Sequence, residues 1–159
     1  MTKYGKLKRT GGLKAGFWRG RALGDLDREE WEALCDGCGR CCLIKLEDED
    51  TGEVSYTDVA CRLFDDETCR CGNYALRFQL VKGCVRLSAE TIDEDKEWMP
   101  KTCAYRLLAE GKELYDWHPL ISGRAESVRE AGISVHGITT PEFEVDEEDY
   151  EDRIVEGMI

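Results

Sequence analysis

The sequence predicts a small α+β domain, stabilised by metal, in which short helices and one hairpin are joined by long loops that carry cysteines. Three observations lead to this fold class. Helical patterns are short and end at glycines, strand-prone runs flank a single clear turn, and cysteines recur where regular periodicity is weakest. A chain of 159 residues is long enough for one domain with a modest core.

The first helix is predicted from its N-terminal signals. Asp27 is a favourable N-cap residue, and Glu30, three residues later, completes a capping box. The helix should run from about Arg28 to Cys35, because Gly37 then favours a break. The first cysteine is therefore expected at the C-terminal end of this helix.

A hairpin is predicted next, from strand-prone residues 43–46 and 54–57 on either side of an acidic turn that contains Gly52. That turn lacks the twelve-residue pattern of a Ca²⁺-binding loop, so a solvated turn is expected. Capping residues and glycines predict further helices, and an apolar run predicts a final strand. The helices are expected over residues 73–81, 88–95, 101–110 and 122–131, and the strand over 133–138.

Charge divides the chain into three regions: a basic arm over residues 1–24, a cysteine-cluster domain over 25–140 and an acidic tail over 141–159. Seven lysines and arginines precede the first acidic residue, Asp25, whereas nine acidic residues stand against Arg153 in the tail. Such ends are expected to be solvated and poorly ordered. The alternative is that the arm or the tail contacts a protein partner.

Net charge and hydropathy exclude several classes of partner. The formal charge of −12 disfavours nucleic acid and anionic lipid surfaces. No apolar run approaches the ~18–20 residues of a membrane span, and the first residues lack the features of a secretory signal. A cytoplasmic protein is therefore expected.

The central feature is the stretch CDGCGRCC, residues 35–42, in which four of eight residues are cysteines. In a reducing cytoplasm, clustered thiols more often bind metal than form disulfides, and nine is an odd count for a paired set. Two Cys-x-x-Cys spacings overlap here, and each allows two sulfurs of one turn to bind one ion. All nine cysteines are candidate metal ligands: Cys35, Cys38, Cys41, Cys42, Cys61, Cys69, Cys71, Cys84 and Cys103.

Spacing favours zinc over an iron–sulfur cluster. Two four-coordinate zinc sites would leave one thiol over, and three zinc ions could share all nine. A [4Fe–4S] cluster is the alternative, but the position four residues after Cys41, where a ferredoxin run has its fourth cysteine, is not a cysteine. Nearby arginines could offset the negative charge of a thiolate cluster: Arg40, Arg62, Arg70, Arg86 and Arg106.

At these residues the chain resembles a known family. CDGCGRCC, YTDVACRLFDDETCRC, PKTCAYRLL and WHPLISGR together are similar to the YcgN-type bacterial proteins, members of the CxxCxxCC group of zinc- or iron-chelating domains. The resemblance covers roughly residues 15–138. It implies a cytoplasmic metal-binding protein whose biochemical role is unassigned, and a related domain in a flagellin lysine methylase keeps an enzymatic interpretation open.

Three functions remain open. The metal could be structural zinc in a partner-binding module, an Fe–S centre used in redox or catalysis beside His118 and Arg106, or a stored or delivered cargo. His118 and His136 are expected to be structural, and Arg106 to be ion-paired. No catalytic residue is predicted, because no Ser/His/Asp or Cys/His signature is present.

Overall fold

The chain folds into short helices and small sheets, which confirms the predicted α+β class. The structure, a computed structural model, describes residues 12–85 and 87–158. Within them the α-helices are α1 (Arg28–Ala33), α2 (Arg77–Leu80), α3 (Ile92–Asp95), α4 (Ala104–Ala109), α5 (Pro119–Ser122) and α6 (Ser127–Glu130). The strands are β1 (Leu43–Glu47), β2 (Val54–Ala60), β3 (Phe64–Asp65), β4 (Arg70–Cys71) and β5 (Thr140–Pro141).

The chain divides into two compact units, each built from two segments. The first unit combines Met1–Gly37 with Leu87–Ser134, and the second combines Cys38–Arg86 with Val135–Ile159. The boundary at Gly37 falls inside the CDGCGRCC stretch. The sequence-based division at residues 24 and 140 follows charge instead, and it stays a prediction.

The first unit is held together by its core, because helices of four to six residues are not stable in isolation. Phe17 and Trp18, from the region predicted as a basic arm, are each 5% exposed within that core. The Trp18 indole also donates to Glu113 Oε1 at 3.0 Å. The arm is therefore part of the first unit from residue 12 onward, while its residues 1–11 lie outside the described range.

Helix α1 has the N-terminus that the sequence predicts. Asp27 Oδ1 accepts from the backbone N–H of Glu30 at 2.9 Å, and Glu30 Oε2 accepts from that of Asp27 at 2.9 Å. The helix ends at Ala33 rather than at Cys35, and Leu34, which follows, is fully buried. Burial of Leu34 in the core fixes the point where the chain leaves the helix.

His118 precedes α5, a helix that sequence patterns did not predict. Its Nδ1 accepts from the backbone N–H of Leu120 at 3.0 Å, so Nε2 carries the proton and donates to the carbonyl of Leu34 at 2.7 Å. The side chain is 2% exposed. His118 is thus a hydrogen-bonded structural histidine, as expected.

The second unit is built on the predicted hairpin. β1 and β2 pair antiparallel, with Lys45 opposite Tyr56, and β5 adds to β2 in parallel. The structure extends β2 to Ala60, three residues beyond the prediction, because Val59 and Ala60 are buried. The predicted strand over 133–138 is wrong: residues 133–138 form loop and turn, although Val135 is fully buried.

A second hairpin, β3–β4, follows the first one directly. Phe64 pairs with Cys71. The loop before β4 contains Cys69 at φ 54°, in the left-handed region, and Cys69 is buried in the core of the second unit. Asp66 Oδ1 in this loop accepts from Gly137 N–H at 3.1 Å and Thr139 Oγ1–H at 2.7 Å.

The acidic C-terminal segment packs on β2, so the expectation of a poorly ordered end is wrong for its described residues. Val155 N–H donates to Tyr56 O at 2.8 Å. Arg153 Nε donates to Asp58 Oδ1 at 2.8 Å. The single arginine of the tail therefore pairs with the strand, while many of the acidic side chains around it are exposed.

The later helices lie close to their predicted positions but are shorter. α2, α3 and α4 fall inside the segments predicted over 73–81, 88–95 and 101–110, and α6 occupies part of 122–131. Among the described residues, no helix is long and apolar enough to cross a membrane.

Protonation of His118 should destabilise the first unit. Burial lowers the pKa of His118 below its ordinary value, although the carbonyl of Leu34 and the charge of Asp36 oppose that shift. The unfolded chain therefore binds a proton more readily, and stability present above about pH 6.5 is lost as the pH falls below it. Urea unfolding between about pH 7 and pH 5 should show this loss. The loss should disappear in His118→Gln and persist in the control His136→Gln; equal slopes in both variants would contradict the assignment.

Gly39 is required by both backbone and packing. Its φ is 81°, and a Cβ placed there would lie 2.8 Å from Phe64 Cζ and Val135 Cγ2. Gly137→Ala, in the same unit, is the control. Gly137 has φ 76° and no atom within 4 Å of an added Cβ, so this variant has the backbone strain without the close contacts. Gly39→Ala should cost about 1–3 kcal/mol more than Gly137→Ala in chemical denaturation. Equal losses would show that close packing does not constrain residue 39.

Candidate metal centre

The nine candidate ligands are distributed over both units, and the structure has all of them as thiols. Cys35 and Cys103 belong to the first unit, where both pack against its core. The other seven belong to the second unit: Cys38, Cys41, Cys42, Cys61, Cys69, Cys71 and Cys84. The second unit therefore holds most of the donors.

The two hairpins of the second unit bring three cysteines together. Backbone pairing continues past the ends of β1 and β2, because Cys61 N–H donates to Cys42 O at 2.8 Å. A tight turn follows, in which Phe64 N–H donates to Cys61 O at 2.8 Å. Since Phe64 pairs with Cys71, the second hairpin returns the chain to the same end of the first.

The thiols of this group influence one another. A hydrogen bond with Cys41 and burial raise the pKa of Cys42 well above its ordinary value, and negative charge on Cys61 and Cys71 adds to that shift. Burial likewise raises the pKa of Cys61, with smaller contributions from Glu142 and Cys71. The thiols are thus close enough that ionising one opposes ionisation of the next.

Cys84 joins this group from the loop after α2. Burial raises the pKa of Cys84, and charges on Cys41, Cys61 and Cys71 raise it further. The Arg77 guanidinium opposes this shift. We call the five thiols linked by these interactions the thiol cluster: Cys41, Cys42, Cys61, Cys71 and Cys84.

A lysine that sequence reasoning did not single out belongs to the same region. Lys45, on β1, donates to the carbonyls of Cys41 at 2.9 Å and Leu43 at 3.1 Å. Its ammonium also lies 5.4 Å from the centre of the Tyr56 ring. Sequence spacing gives no signal for this lysine, because its contact with Cys41 depends on the irregular register between Leu43 and Lys45.

The remaining cysteines have other surroundings. Cys38 is buried, and its Sγ accepts from the backbone N–H of Arg40 at 3.4 Å. Cys69 Sγ lies 3.9 Å from Asp66 O. Cys103 is the residue before α4, at its N-cap position.

The donor chemistry of the cluster fits a thiophilic metal, because thiolates select zinc, copper(I) or iron–sulfur clusters. The geometry is not that of a preformed site. Among residues 12–85 and 87–158, no three His, Cys, Asp or Glu side chains are arranged to hold a metal ion. Metal binding would thus require side chains of the cluster to rotate towards a common point.

Two residues that the Fe–S alternative would place beside a reactive centre have the structural roles expected of them. Both ring nitrogens of His118 are hydrogen-bonded within the first unit. Arg106, also in the first unit, is 8% exposed and donates to the carbonyls of Met99 at 2.8 Å and Lys96 at 3.0 Å. It also pairs with Glu97 and Glu110, as an ion-paired arginine should.

Among the other arginines expected to offset thiolate charge, Arg62 lowers the pKa of Cys61 by its positive charge. Arg86 lies outside the described residues.

Comparison with known proteins gives a consistent result. Residues 34–104 match a family model described as "Putative zinc- or iron-chelating domain", named CxxCxxCC. A UPF0260 protein of Parvibaculum lavamentivorans is 60% identical over 139 residues, which cover 87% of this chain and 90% of the relative. UPF0260 proteins of Rhodobacter capsulatus and Brucella canis are 56% and 54% identical over 92% and 87% of this chain, and over 97% and 92% of their own lengths. No solved structure matches the chain. Residues 34–104 match the CxxCxxCC model, and with identities this high over nearly the whole length the chain belongs to the UPF0260 family.

Proposed function

We propose that this protein binds a metal ion through thiolates of the thiol cluster, and that the ion is zinc. The observation that carries the proposal is the backbone pairing that brings Cys42, Cys61 and Cys71 to one end of two consecutive hairpins within one unit. The interactions of these thiols with one another and with Cys41 and Cys84 support it. Zinc accepts four thiolates at irregular sequence spacings, as such a set would supply. An iron–sulfur centre with redox or catalytic activity is the second candidate, since the family description names iron beside zinc.

Metal would contribute stability where the second unit has little apolar core. Its buried apolar cluster consists of five residues, one of which is itself a cysteine: Leu43, Tyr56, Ala60, Cys69 and Val135. A structural zinc ion supplies an apparent ~10–16 kcal/mol, which is comparable to the whole stability of a typical domain, ~5–15 kcal/mol. In this proposal the metal stabilises the second unit, either as a permanent structural ion or as an ion that the protein stores or delivers.

The four cysteines outside the cluster remain candidate ligands, but fewer observations support metal binding by them. Cys69 is part of the apolar core of the second unit, which favours a packing role. Cys38 is buried beside Arg40. Cys35 and Cys103 could hold an ion or complete the core of the first unit.

The proposed setting is the cytoplasm, because a site made of thiolates persists in a reducing compartment. Contact with a protein partner through the basic arm or the acidic tail also stays a proposal. Exposed acidic side chains of residues 144–152 would favour a basic partner and repel nucleic acid.

Metal analysis of protein purified without oxygen and without added metal tests the identity of the ion. We expect zinc in stoichiometric amount, no visible absorbance, and a lower unfolding midpoint after treatment with a chelator. If the protein contains iron with matching sulfide and has a broad brown absorbance, the zinc proposal is wrong and the Fe–S alternative is supported. A chain that takes up neither metal would refute the proposed function.

Two cysteine variants of the second unit test which thiols bind the ion. Cys42→Ser removes the thiol that interacts with three others, so zinc affinity in a chelator competition should fall by at least about 100-fold. Cys69→Ser alters the core and should lower stability while zinc content per folded chain is retained. If Cys42→Ser keeps its zinc affinity and Cys69→Ser loses zinc, the site lies at the loop before β4 and not at the thiol cluster.

A further inference from the structure

We propose that Lys45 is a positioning residue of the thiol cluster: its ammonium group holds the backbone at Cys41 and supplies the positive charge that offsets thiolates bound to an ion. The inference rests on the proposed function, because it concerns the same site. It adds a residue that is not a metal ligand and that controls how tightly the ligands hold metal.

Hydrogen bonds fix the ammonium group beside the adjacent cysteines. Lys45 Nζ donates to the carbonyl of Cys41 at 2.9 Å and to that of Leu43 at 3.1 Å. These two carbonyls flank Cys42, so the lysine spans the backbone on both sides of that thiol. Chain direction at Cys41 and Cys42 decides where their sulfurs can point, and Lys45 restrains that direction.

The aromatic ring beneath the lysine limits where its charge can go. Lys45 pairs with Tyr56 across the hairpin, and its Nζ lies 5.4 Å from the ring centre. A ring face attracts a cation, so the contact favours the same position as the two carbonyls. Tyr56 is itself buried and fixed in the core of the second unit.

The electrostatic surroundings agree with this placement. Burial lowers the pKa of Lys45, and negative charge on nearby thiols opposes that shift. The thiols that act on the lysine are Cys41, Cys42, Cys84 and Cys38. The ammonium group therefore interacts with three of the five thiols of the cluster.

Charge balance explains why a cation is needed there. A divalent ion held by four thiolates keeps a net negative charge, which is costly in a partly buried site. Arg62 and Arg77 act on Cys61 and Cys84 respectively, whereas Lys45 acts on the adjacent pair Cys41 and Cys42. Residues that support metal ligands from outside typically change metal affinity by about 10- to 100-fold when replaced.

The experiment measures binding of zinc and of cobalt(II) to the full-length reduced protein by chelator competition. Lys45→Met removes the charge and keeps the length of the side chain, Lys45→Gln keeps N–H donors without charge, and Lys45→Arg keeps the charge. Lys14→Met, at an exposed residue of the first unit, removes the same charge elsewhere. Unfolding of each metal-free variant is followed by circular dichroism to compare folding.

We expect Lys45→Met and Lys45→Gln to weaken zinc binding by about 10- to 100-fold, with Lys45→Arg recovering most of the affinity and Lys14→Met unchanged. The absorption bands of the cobalt(II) complex should keep their positions in all variants, because the thiolate ligands are the same. A loss of affinity in both Lys45→Gln and Lys45→Met, with recovery in Lys45→Arg, would support charge as the main contribution.

Other outcomes separate the two proposals. If the wild type binds zinc and Lys45→Met binds as tightly as Lys14→Met, the role of Lys45 is refuted and the proposed function stands. If Lys45→Arg binds as weakly as Lys45→Met, charge compensation is refuted. Altered cobalt bands in Lys45→Met would make the lysine part of the ligand arrangement instead. A wild type that binds no metal refutes the proposed function and this inference together.

Discussion

The hydrogen bond from Cys61 N–H to Cys42 O is the contact on which the candidate site depends. It extends the antiparallel pairing of β1 and β2 beyond both strand ends and places two cysteines opposite each other. The turn from Cys61 to Phe64 then starts the β3–β4 hairpin, whose pairing places Cys71 at the same end. Backbone pairing, rather than the local spacing of cysteines, therefore builds most of the thiol cluster.

The same contact imposes an electrostatic constraint. Burial and the charges of neighbouring thiols raise the pKa values of Cys42, Cys61 and Cys84. A metal ion bound by such thiols would have to displace their protons. Under the proposed function, metal binding would therefore be coupled to thiol ionisation and to side-chain rotation. This coupling is consistent with the described residues, among which no three possible ligands are arranged to hold a metal ion.

Local signals predicted local structure well. The capping box at Asp27 and the β1–β2 hairpin follow from residues close in sequence, and both are present. Tertiary contacts decided the rest. Val135 is buried in the second core from a loop, so an apolar run there was mistaken for a strand. Lys45 could not be selected from sequence, because its contact with Cys41 depends on an irregular register between Leu43 and Lys45.

The boundary between the two units at Gly37 divides the cysteines of the CDGCGRCC stretch between the units. Four thiols lie within eight residues; Cys35 belongs to the first unit and the next three cysteines to the second. The sequence motif shows which cysteines are close along the chain, whereas the fold determines the compact unit to which each cysteine belongs. The second unit alone contains Cys38, Cys41, Cys42, Cys61, Cys69, Cys71 and Cys84, more than one four-coordinate zinc ion requires. Under the proposed function, the donors that serve an ion are the thiols of the cluster, and the Lys45 ammonium lies beside the backbone of two of them, Cys41 and Cys42.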